Sequence, residues 1–231
     1  MADLSIDTRD RVRRIVAADL RPVRPVWSPA RRALLVWPFA LLLAVLASLT
    51  YGLREDAGQL GRGLTWGASA VEWLLGLTAI AVALRHAVPG AESGHRRLVH
   101  LCVLAGIVLS VTTVLTYTAH PTFVPPTGGW PVWRACVIGP LEYSVPLLIV
   151  ALVPVVRSFS TYPVLSGTLC GLGAGLVIDS GWRLTCSFTS PQHVFGAHGL
   201  AFIAVTLVGA SVGVAVDLRF RGNRGYGGNR N

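Results

Sequence analysis

Four cysteines are the most reactive side chains of this chain, and their surroundings divide them into two pairs. Cys102 and Cys170 lie within long apolar runs, where an isolated cysteine usually acts as a small hydrophobic residue. Cys136 begins another apolar run, and Cys186 lies in a polar loop. Their Cα atoms would have to come within about 7 Å to form a disulfide. The pattern leaves three interpretations open: a static disulfide, a redox- or metal-responsive thiol pair, and two unrelated thiols.

Three histidines lie close in sequence to the same polar segments, namely His120, His193 and His198. Thiolate and imidazole together suit zinc, copper or cadmium. The chain has no CxxC or HxxxH spacing, and histidines at an interface also make ordinary hydrogen bonds. The sequence therefore leaves a metal ion undecided, and it indicates no catalytic residue and no cofactor.

Acidic residues within the apolar runs form a second set of candidates. Glu72 and Glu142 have no partner nearby in sequence, and they could relay protons, bind a cation or hydrogen-bond between helices. Asp179 lies four residues before Arg183, a helical spacing that predicts an ion pair.

Six apolar runs must position these side chains. Each run has about 20 residues, the length that an α-helix needs to cross about 30 Å of hydrocarbon. In lipid the backbone must satisfy its own hydrogen bonds, so the runs are predicted to be helices. The predicted fold is an all-α, polytopic bundle of six transmembrane helices: Ala33–Gly52, Leu64–Leu84, Leu98–Thr118, Ala135–Val156, Pro163–Trp182 and Val194–Val216.

The basic residues indicate how this bundle is oriented. The formal net charge is +9, and all 20 basic residues are arginine. Only Arg54, Arg62, Arg134 and Arg183 fall on one predicted face, so the positive-inside rule places the other face and both termini in the cytoplasm. The expected location is the bacterial inner membrane, where the arginines also meet anionic lipid. No nucleic-acid-binding motif accompanies the charge, so direct binding of nucleic acid is not expected.

The chain accordingly divides into three predicted parts. These are a cytoplasmic segment of residues 1–32, a transmembrane domain of residues 33–216 and a disordered cytoplasmic tail of residues 217–231. No cleavable signal peptide is apparent in the first segment, because it is charged and interrupted by prolines. Its last part is predicted to be a proline-rich linker.

An amphipathic helix is predicted at the start of the chain, beginning near Asp7 and ending near Leu20. Val12, Ile15, Val16 and Leu20 fall on one stripe of it at helical spacing. Such a stripe can dock on a partner protein or rest on the membrane surface.

Glycines recur every four residues in the last two apolar runs. This spacing lets helix backbones approach closely and predicts tight packing inside the bundle, with a homodimer as the alternative. The glycines are Gly167, Gly171 and Gly175 in the fifth run, and Gly209 and Gly213 in the sixth.

Several of these segments together resemble one protein family. Residues 19–25 read DLRPVRP and lead into the first run, and residues 186–191 read CSFTSP. With Cys136 at the start of the fourth run and the glycines of the fifth, they resemble the NrsF family of six-span, inner-membrane anti-sigma factors. The resemblance implies that the N-terminal segment keeps an extracytoplasmic-function sigma factor from RNA polymerase. It also implies that Cys136 and Cys186 sense heavy metal or oxidative stress.

Related functions remain as alternatives. CarR-like membrane anti-sigma factors share the layout, so singlet oxygen or a photosensitising porphyrin is another candidate signal. A membrane thiol oxidoreductase would use Cys136 and Cys186, but would ordinarily need a CxxC pair and a quinone site. A small ion or metabolite transporter would use Glu72 and Glu142, but would normally show broken helices or paired half-repeats. The leading prediction is a regulator without enzymatic activity.

Overall fold

The computed structural model describes residues 6–19, 27–88, 95–123, 129–157 and 160–225, and within these ranges the chain contains helices and no strands. Two π-helical turns interrupt the helices: Gly63–Gly67 joins α3 to α4, and Val194–His198 joins α8 to α9. The α-helices are α1 (Ile6–Asp19), α2 (Pro29–Tyr51), α3 (Ala57–Arg62), α4 (Ala68–His86), α5 (His95–Ala119), α6 (Gly129–Arg157), α7 (Pro163–Trp182), α8 (Pro191–His193) and α9 (Gly199–Gly225).

Six stretches of helix are long and apolar enough to cross a membrane, which confirms the predicted six-span fold. Most of them extend beyond the apolar runs, because the helices continue into the polar residues at their ends. Large apolar side chains such as Leu49, Leu74 and Leu207 point away from the bundle, where lipid would surround them. The spans are Pro29–Tyr51, Ala57–His86, His95–Ala119, Gly129–Arg157, Pro163–Trp182 and Pro191–Phe220.

Helix α7 forms the centre of the bundle and is buried along nearly its whole length. Its glycines make this position possible, as the sequence predicted. A Cβ atom added to Gly171 would lie 2.6 Å from the carbonyl oxygen of Val205 on α9. On the opposite side, a Cβ atom added to Gly173 would lie 2.6 Å from the carbonyl oxygen of Gly76 on α4. The backbones of three spans therefore touch at positions where only glycine fits.

The structure agrees with the predicted N-terminal helix but differs from the predicted C-terminal tail. Helix α1 covers most of the segment for which an amphipathic helix was predicted. Residues 20–26, which hold most of the predicted linker, lie outside the described residues. Helix α9 continues to Gly225, so the prediction of disorder is wrong for residues 217–225. The last span simply extends by further helical turns, and residues 226–231 lie outside the described part of the chain. The division into three parts otherwise stays a prediction.

Candidate functional site

Cys136 and Cys186 are neighbours at one end of the bundle. Cys136 lies near the start of α6, and Cys186 lies in the loop of residues 183–190 between α7 and α8. Their sulfur atoms are 3.8 Å apart, both residues are buried and both are free cysteines. The structure thus brings the two thiols into contact, and their role in sensing stays a prediction. Contact with Cys136, burial and the charge of that neighbour raise the pKa of Cys186 well above its ordinary value.

The other two cysteines lie apart from this pair. Cys102 is exposed on the outer surface of α5, and Cys170 is fully buried in α7. The sulfur of Cys170 lies 3.6 Å from the carbonyl oxygen of Ala151. These positions match the small hydrophobic role that the sequence predicted for them.

Two imidazoles complete a cluster around the two thiols. His193 places Nε2 3.5 Å from the sulfur of Cys186, and His198 lies beside His193 with 5.5 Å between ring centroids. The potential ligand atoms of Cys136, Cys186, His193 and His198 all lie within 4.8 Å of one another, and all four residues are buried. We call these four residues the thiol–imidazole cluster.

His120, the third histidine that the sequence singled out, is not part of the cluster. Its Nε2 atom lies 3.8 Å from a carboxylate oxygen of Asp56. Of the three histidines that the sequence grouped with the cysteines, the structure thus places His193 and His198 in the cluster and His120 outside it.

A π-helical turn brings the two histidines together. Residues five apart on an α-helix point about 140° away from each other around the axis, because each residue turns the helix by about 100°. Between His193 and His198 the helix widens, and the amide of Gly199 donates to the carbonyl oxygen of Val194, five residues earlier. This wider turn places both imidazoles on the same side of the helix. Such local π-turns frequently occur at functional sites.

Aromatic and small residues enclose the cluster. The ring of Trp133 on α6 meets His193 edge to face at 5.3 Å between centroids, and the ring of Phe188 lies 5.5 Å away. Trp182 and Ala197 pack with both cysteines in one small apolar core. These contacts exclude water from most of the cluster, which strengthens every electrostatic interaction within it.

A network of charged groups extends from His198 into the middle of the bundle. His198 shares a hydrogen bond of 2.7 Å between its Nδ1 and Oδ1 of Asp179. Arg183 lies 3.4 Å from the other carboxylate oxygen of Asp179, which agrees with the predicted ion pair. Arg183 also lies 2.7 Å from the carboxylate of Glu72, which is fully buried on α4. Burial alone would lower the pKa of Arg183, but Glu72 and Asp179 raise it above its ordinary value.

This network explains Glu72 without a transported ion. Glu72 is a buried partner of Arg183, whereas Glu142 is exposed on α6. The two acids that the transporter hypothesis requires thus have different surroundings, so the structure adds no support to that hypothesis.

The loop that carries Cys186 is held on one side by Arg54. The amide of Arg54 donates to the carbonyl oxygen of Leu184 at 2.8 Å, and its guanidinium donates to the carbonyl oxygen of Arg183. The same guanidinium makes two hydrogen bonds with Asp56, at 2.6 and 2.8 Å. Burial raises the pKa of Asp56, but these bonds outweigh that effect and lower the pKa below its ordinary value.

On its other side, the loop is joined to the end of α5 through Thr122 and Thr189. The amide of Thr122 donates to the hydroxyl of Thr189 at 3.0 Å, and the amide of Thr189 donates to the hydroxyl of Thr122 at 2.9 Å. Thr189 in turn donates to the carbonyl oxygen of His120 at 2.8 Å. Cys186 is therefore carried by a loop that two neighbouring loops fix in place.

Three of the four predicted partner-binding residues lie on α1 and are exposed. Val12, Ile15 and Val16 are 53%, 60% and 53% exposed, whereas Leu20 lies outside the described residues. The first three thus form an uncovered apolar stripe.

Comparison with known families agrees with the resemblance seen in the sequence. The model of the NrsF family, described as negative regulator of sigma F, matches residues 16–219. The chain belongs to the NrsF family. The match includes the thiol–imidazole cluster and nearly all of the six spans, and the family identifies a negative regulator of a sigma factor. Neither the curated proteins nor the solved structures yield a match.

Sequence reasoning missed the connection between these groups in the NrsF-family fold. It named Asp179 only as a partner of Arg183, although Asp179 also holds His198. A signal was present, because Asp179, Arg183 and His198 lie at the predicted ends of neighbouring spans. Glu72, in another span, could be placed only by the packing of α4 against α7.

Proposed function

We propose that this NrsF-family protein holds an extracytoplasmic-function sigma factor at the bacterial inner membrane and releases it when an envelope signal reaches Cys136 and Cys186. The observation that carries this proposal is the uncovered apolar stripe on α1 in a chain of a sigma-regulating family. A sigma domain that buries Val12, Ile15 and Val16 would be kept from RNA polymerase. The inhibition is sequestration and requires no catalysis.

The proposed orientation places α1 in the cytoplasm and the thiol–imidazole cluster on the outer side. It rests on the arginine distribution, since 20 arginines are spread very unequally between the two faces. An even number of spans returns the chain to the side on which it began, so both termini share the cytoplasm. On the outer side, the thiols are exposed to heavy metals, oxidants and singlet oxygen and are separated from the reductants of the cytoplasm.

The signal must alter the affinity for the sigma factor across the membrane. Asp179 lies on the central helix α7 and contacts His198 of the cluster. A change in the cluster would therefore act directly on α7, which packs closely against α4 and α9. A coupling free energy of about 1–3 kcal/mol, typical of allosteric proteins, changes affinity about 5–150-fold. We also propose two further partners, namely the membrane lipid that surrounds the bundle and a second copy of the chain.

Replacement of the apolar side chains of the α1 stripe by acidic ones tests the docking surface. We expect a Val12→Asp/Ile15→Asp/Val16→Asp variant of the full chain to lose capture of the co-expressed sigma factor in a pull-down from detergent. A variant that lacks residues 1–25 should lose capture to the same extent. The matched control is Ala18→Asp, which adds a carboxylate to an exposed position on the far side of α1. Capture of equal amounts by the wild type and all three variants would refute the docking proposal.

The orientation has its own test. A reporter that is active only in the cytoplasm, fused before residue 1, should be active, and the same reporter inserted in the loop of residues 183–190 should be inactive. The opposite pattern would place the cysteines in the reducing compartment and would overturn the sensing part of the proposal.

Quinone reduction tests the enzymatic alternative. The same two sulfur atoms would serve a membrane thiol oxidoreductase, and we expect the purified protein to leave a water-soluble quinone unreduced. Turnover that is lost in Cys136→Ser would favour that alternative.

A further inference from the structure

We propose that Cys136, Cys186, His193 and His198 bind one soft divalent metal ion, of the class of Zn²⁺ and Cd²⁺, in a four-coordinate site. The proposal names the ligand of the sensing site, and its regulatory meaning rests on the proposed function. The chemistry of binding rests on the cluster alone, so the two can fail separately.

Two of the distances in the cluster match those of a tetrahedral metal site. Bonds of about 2.3 Å from zinc to sulfur and about 2.05 Å to nitrogen place two sulfurs about 3.8 Å apart, and a sulfur and a nitrogen about 3.6 Å apart. The observed separations are 3.8 Å between the sulfurs of Cys136 and Cys186 and 3.5 Å between the sulfur of Cys186 and Nε2 of His193. All four ligand atoms lie within 4.8 Å of one another, so small side-chain movements would bring them to one ion.

The orientation of His198 supplies an independent observation. Asp179 occupies Nδ1 of this imidazole, and the other nitrogen, Nε2, is buried without a hydrogen bond among the described residues. A buried polar atom without a partner is costly, and a metal ion would satisfy it. A carboxylate that holds the far nitrogen of a histidine ligand is the usual outer shell of a zinc site. Asp179 is thus a positioning residue for His198.

The charges also balance. Two thiolates and one divalent cation sum to zero, which suits the apolar enclosure formed by Trp133, Phe188 and Trp182. Binding converts two thiols to thiolates, so two protons leave for water as the metal–sulfur bonds form, and no electrons are transferred. Cu²⁺ is less suited, because it prefers a tetragonal arrangement of ligands, whereas a tetrahedral set of two sulfurs and two nitrogens is typical of zinc.

The ion would join parts of the protein that are distant in sequence. Cys136 lies on α6, Cys186 on the loop after α7, and the two histidines on α8 and the π-turn before α9. Gain, loss or exchange of the ion would therefore change how these elements are held together. A signal that acts on the thiols, whether another metal or an oxidant, would act through this ion.

Metal analysis of the purified full-length protein tests the site. After reduction and dialysis against Zn²⁺, we expect one zinc per chain by elemental analysis. Co²⁺ in place of zinc should give the strong visible bands of a tetrahedral complex together with thiolate-to-cobalt charge-transfer bands. Cys136→Ser, Cys186→Ser, His193→Gln and His198→Gln should each lose stoichiometric zinc or the tetrahedral spectrum. Asp179→Asn should keep the spectrum but bind about 10–100-fold more weakly.

Two controls match the ligand variants. Cys170→Ser removes a buried thiol outside the cluster, and His120→Gln removes a histidine from the neighbouring loop; both should bind zinc as the wild type does. Absence of zinc from the reduced wild type would overturn the proposal. So would an octahedral cobalt spectrum, or recovery of Cys136 and Cys186 only as a disulfide that reductant cannot open.

The outcome for regulation is read separately. If zinc binds but its removal by a chelator leaves sigma-factor capture unchanged, the metal site stands and its place in the proposed function falls. If the α1 stripe fails to capture a sigma factor while zinc binds, the docking proposal fails and the site stands.

Discussion

The thiol–imidazole cluster and helix α1 differ in how far their side chains are buried and held by neighbouring groups. Within the described residues, the cluster is buried, enclosed by rings and supported by a network of ion pairs that reaches Glu72. Helix α1 exposes the three apolar side chains of its stripe by more than half. The two regions lie at opposite ends of the predicted signal path.

This difference corresponds to two kinds of recognition. A small ligand is bound by side chains that are already held in place, because their ordering has been completed during folding. A protein partner needs an open surface that its own side chains can cover. Substitutions in and around the thiol–imidazole cluster should therefore reduce the stability of the fold more than substitutions in the exposed stripe of α1. The following variants test this contrast, from the largest expected effect to the smallest.

Arg183→Met should cause the largest loss of stability. It leaves the carboxylates of Glu72 and Asp179 buried without their cation, and breaking a buried ion pair in this way costs about 3–5 kcal/mol. Thermal unfolding in detergent measures the loss. The double variant Glu72→Gln/Arg183→Met should be more stable than Arg183→Met alone, because it removes one of the stranded charges.

The controls for this prediction come from the exposed surface. Arg134→Met makes the same change at an exposed position on α6, and Ile15→Ser removes an apolar side chain from the stripe of α1. Each should alter the free energy of unfolding by less than about 0.5 kcal/mol. If Arg183→Met were as mild as these, the cluster would not be the more firmly built region.

Gly171→Ala and Gly106→Ala should have effects of opposite sign. The new Cβ of Gly171→Ala would lie 2.6 Å from the carbonyl oxygen of Val205, so α9 must move, at a cost of about 1–3 kcal/mol. Gly106 on α5 has nothing within 4 Å of its Cβ position, and alanine there should stabilise the helix by up to about 1 kcal/mol. Thermal unfolding of both variants in one detergent gives the comparison. Equal effects would show that α7 and α9 are not in backbone contact.

The spans and their packing could be predicted because both follow from local pattern. Length and apolarity determine a span, and glycines at every fourth position mark where backbones meet, as Gly167 and Gly171 do. The end of α9 was less predictable, since a Gly- and Arg-rich segment can extend a helix that is already formed.

The cluster itself could be predicted only in part. The two cysteines were recognised as candidates, but the pairing of His193 with His198 depends on a π-turn, and the sequence carries no simple signature for the extra residue in that turn. The link from His198 through Asp179 and Arg183 to Glu72 depends on how α4 packs on α7. Contacts between distant spans arise from packing, which periodicity along one helix does not reveal.

Thr189→Val should loosen the loop of Cys186 with a smaller effect on overall stability. It removes the hydroxyl that accepts from the amide of Thr122 and donates to the carbonyl oxygen of His120. Each lost hydrogen bond contributes about 1 kcal/mol. Hydrogen exchange of the Thr122 amide should accelerate at least several-fold.

The matched control is Thr78→Val. Thr78 is exposed, and its hydroxyl donates to the carbonyl oxygen of Leu74 within its own helix. The amide of Thr122 should then exchange as in the wild type. Acceleration by both variants would mean that the bonds between loops do not specifically hold the Cys186 loop.

Asp56→Asn should have the smallest effect, and that effect should depend on pH. Because Arg54 lowers the pKa of Asp56 in the folded protein, the pair stabilises the fold above the unfolded pKa of about 3.9. That stability is lost as the pH falls through the lower, folded pKa, where the carboxylate becomes neutral. The advantage of the wild type over Asp56→Asn in thermal unfolding should therefore be complete at neutral pH and shrink below about pH 4. An advantage that stays constant in acid would mean that neutral hydrogen bonds, and not charge, hold Arg54 against the loop of Cys186.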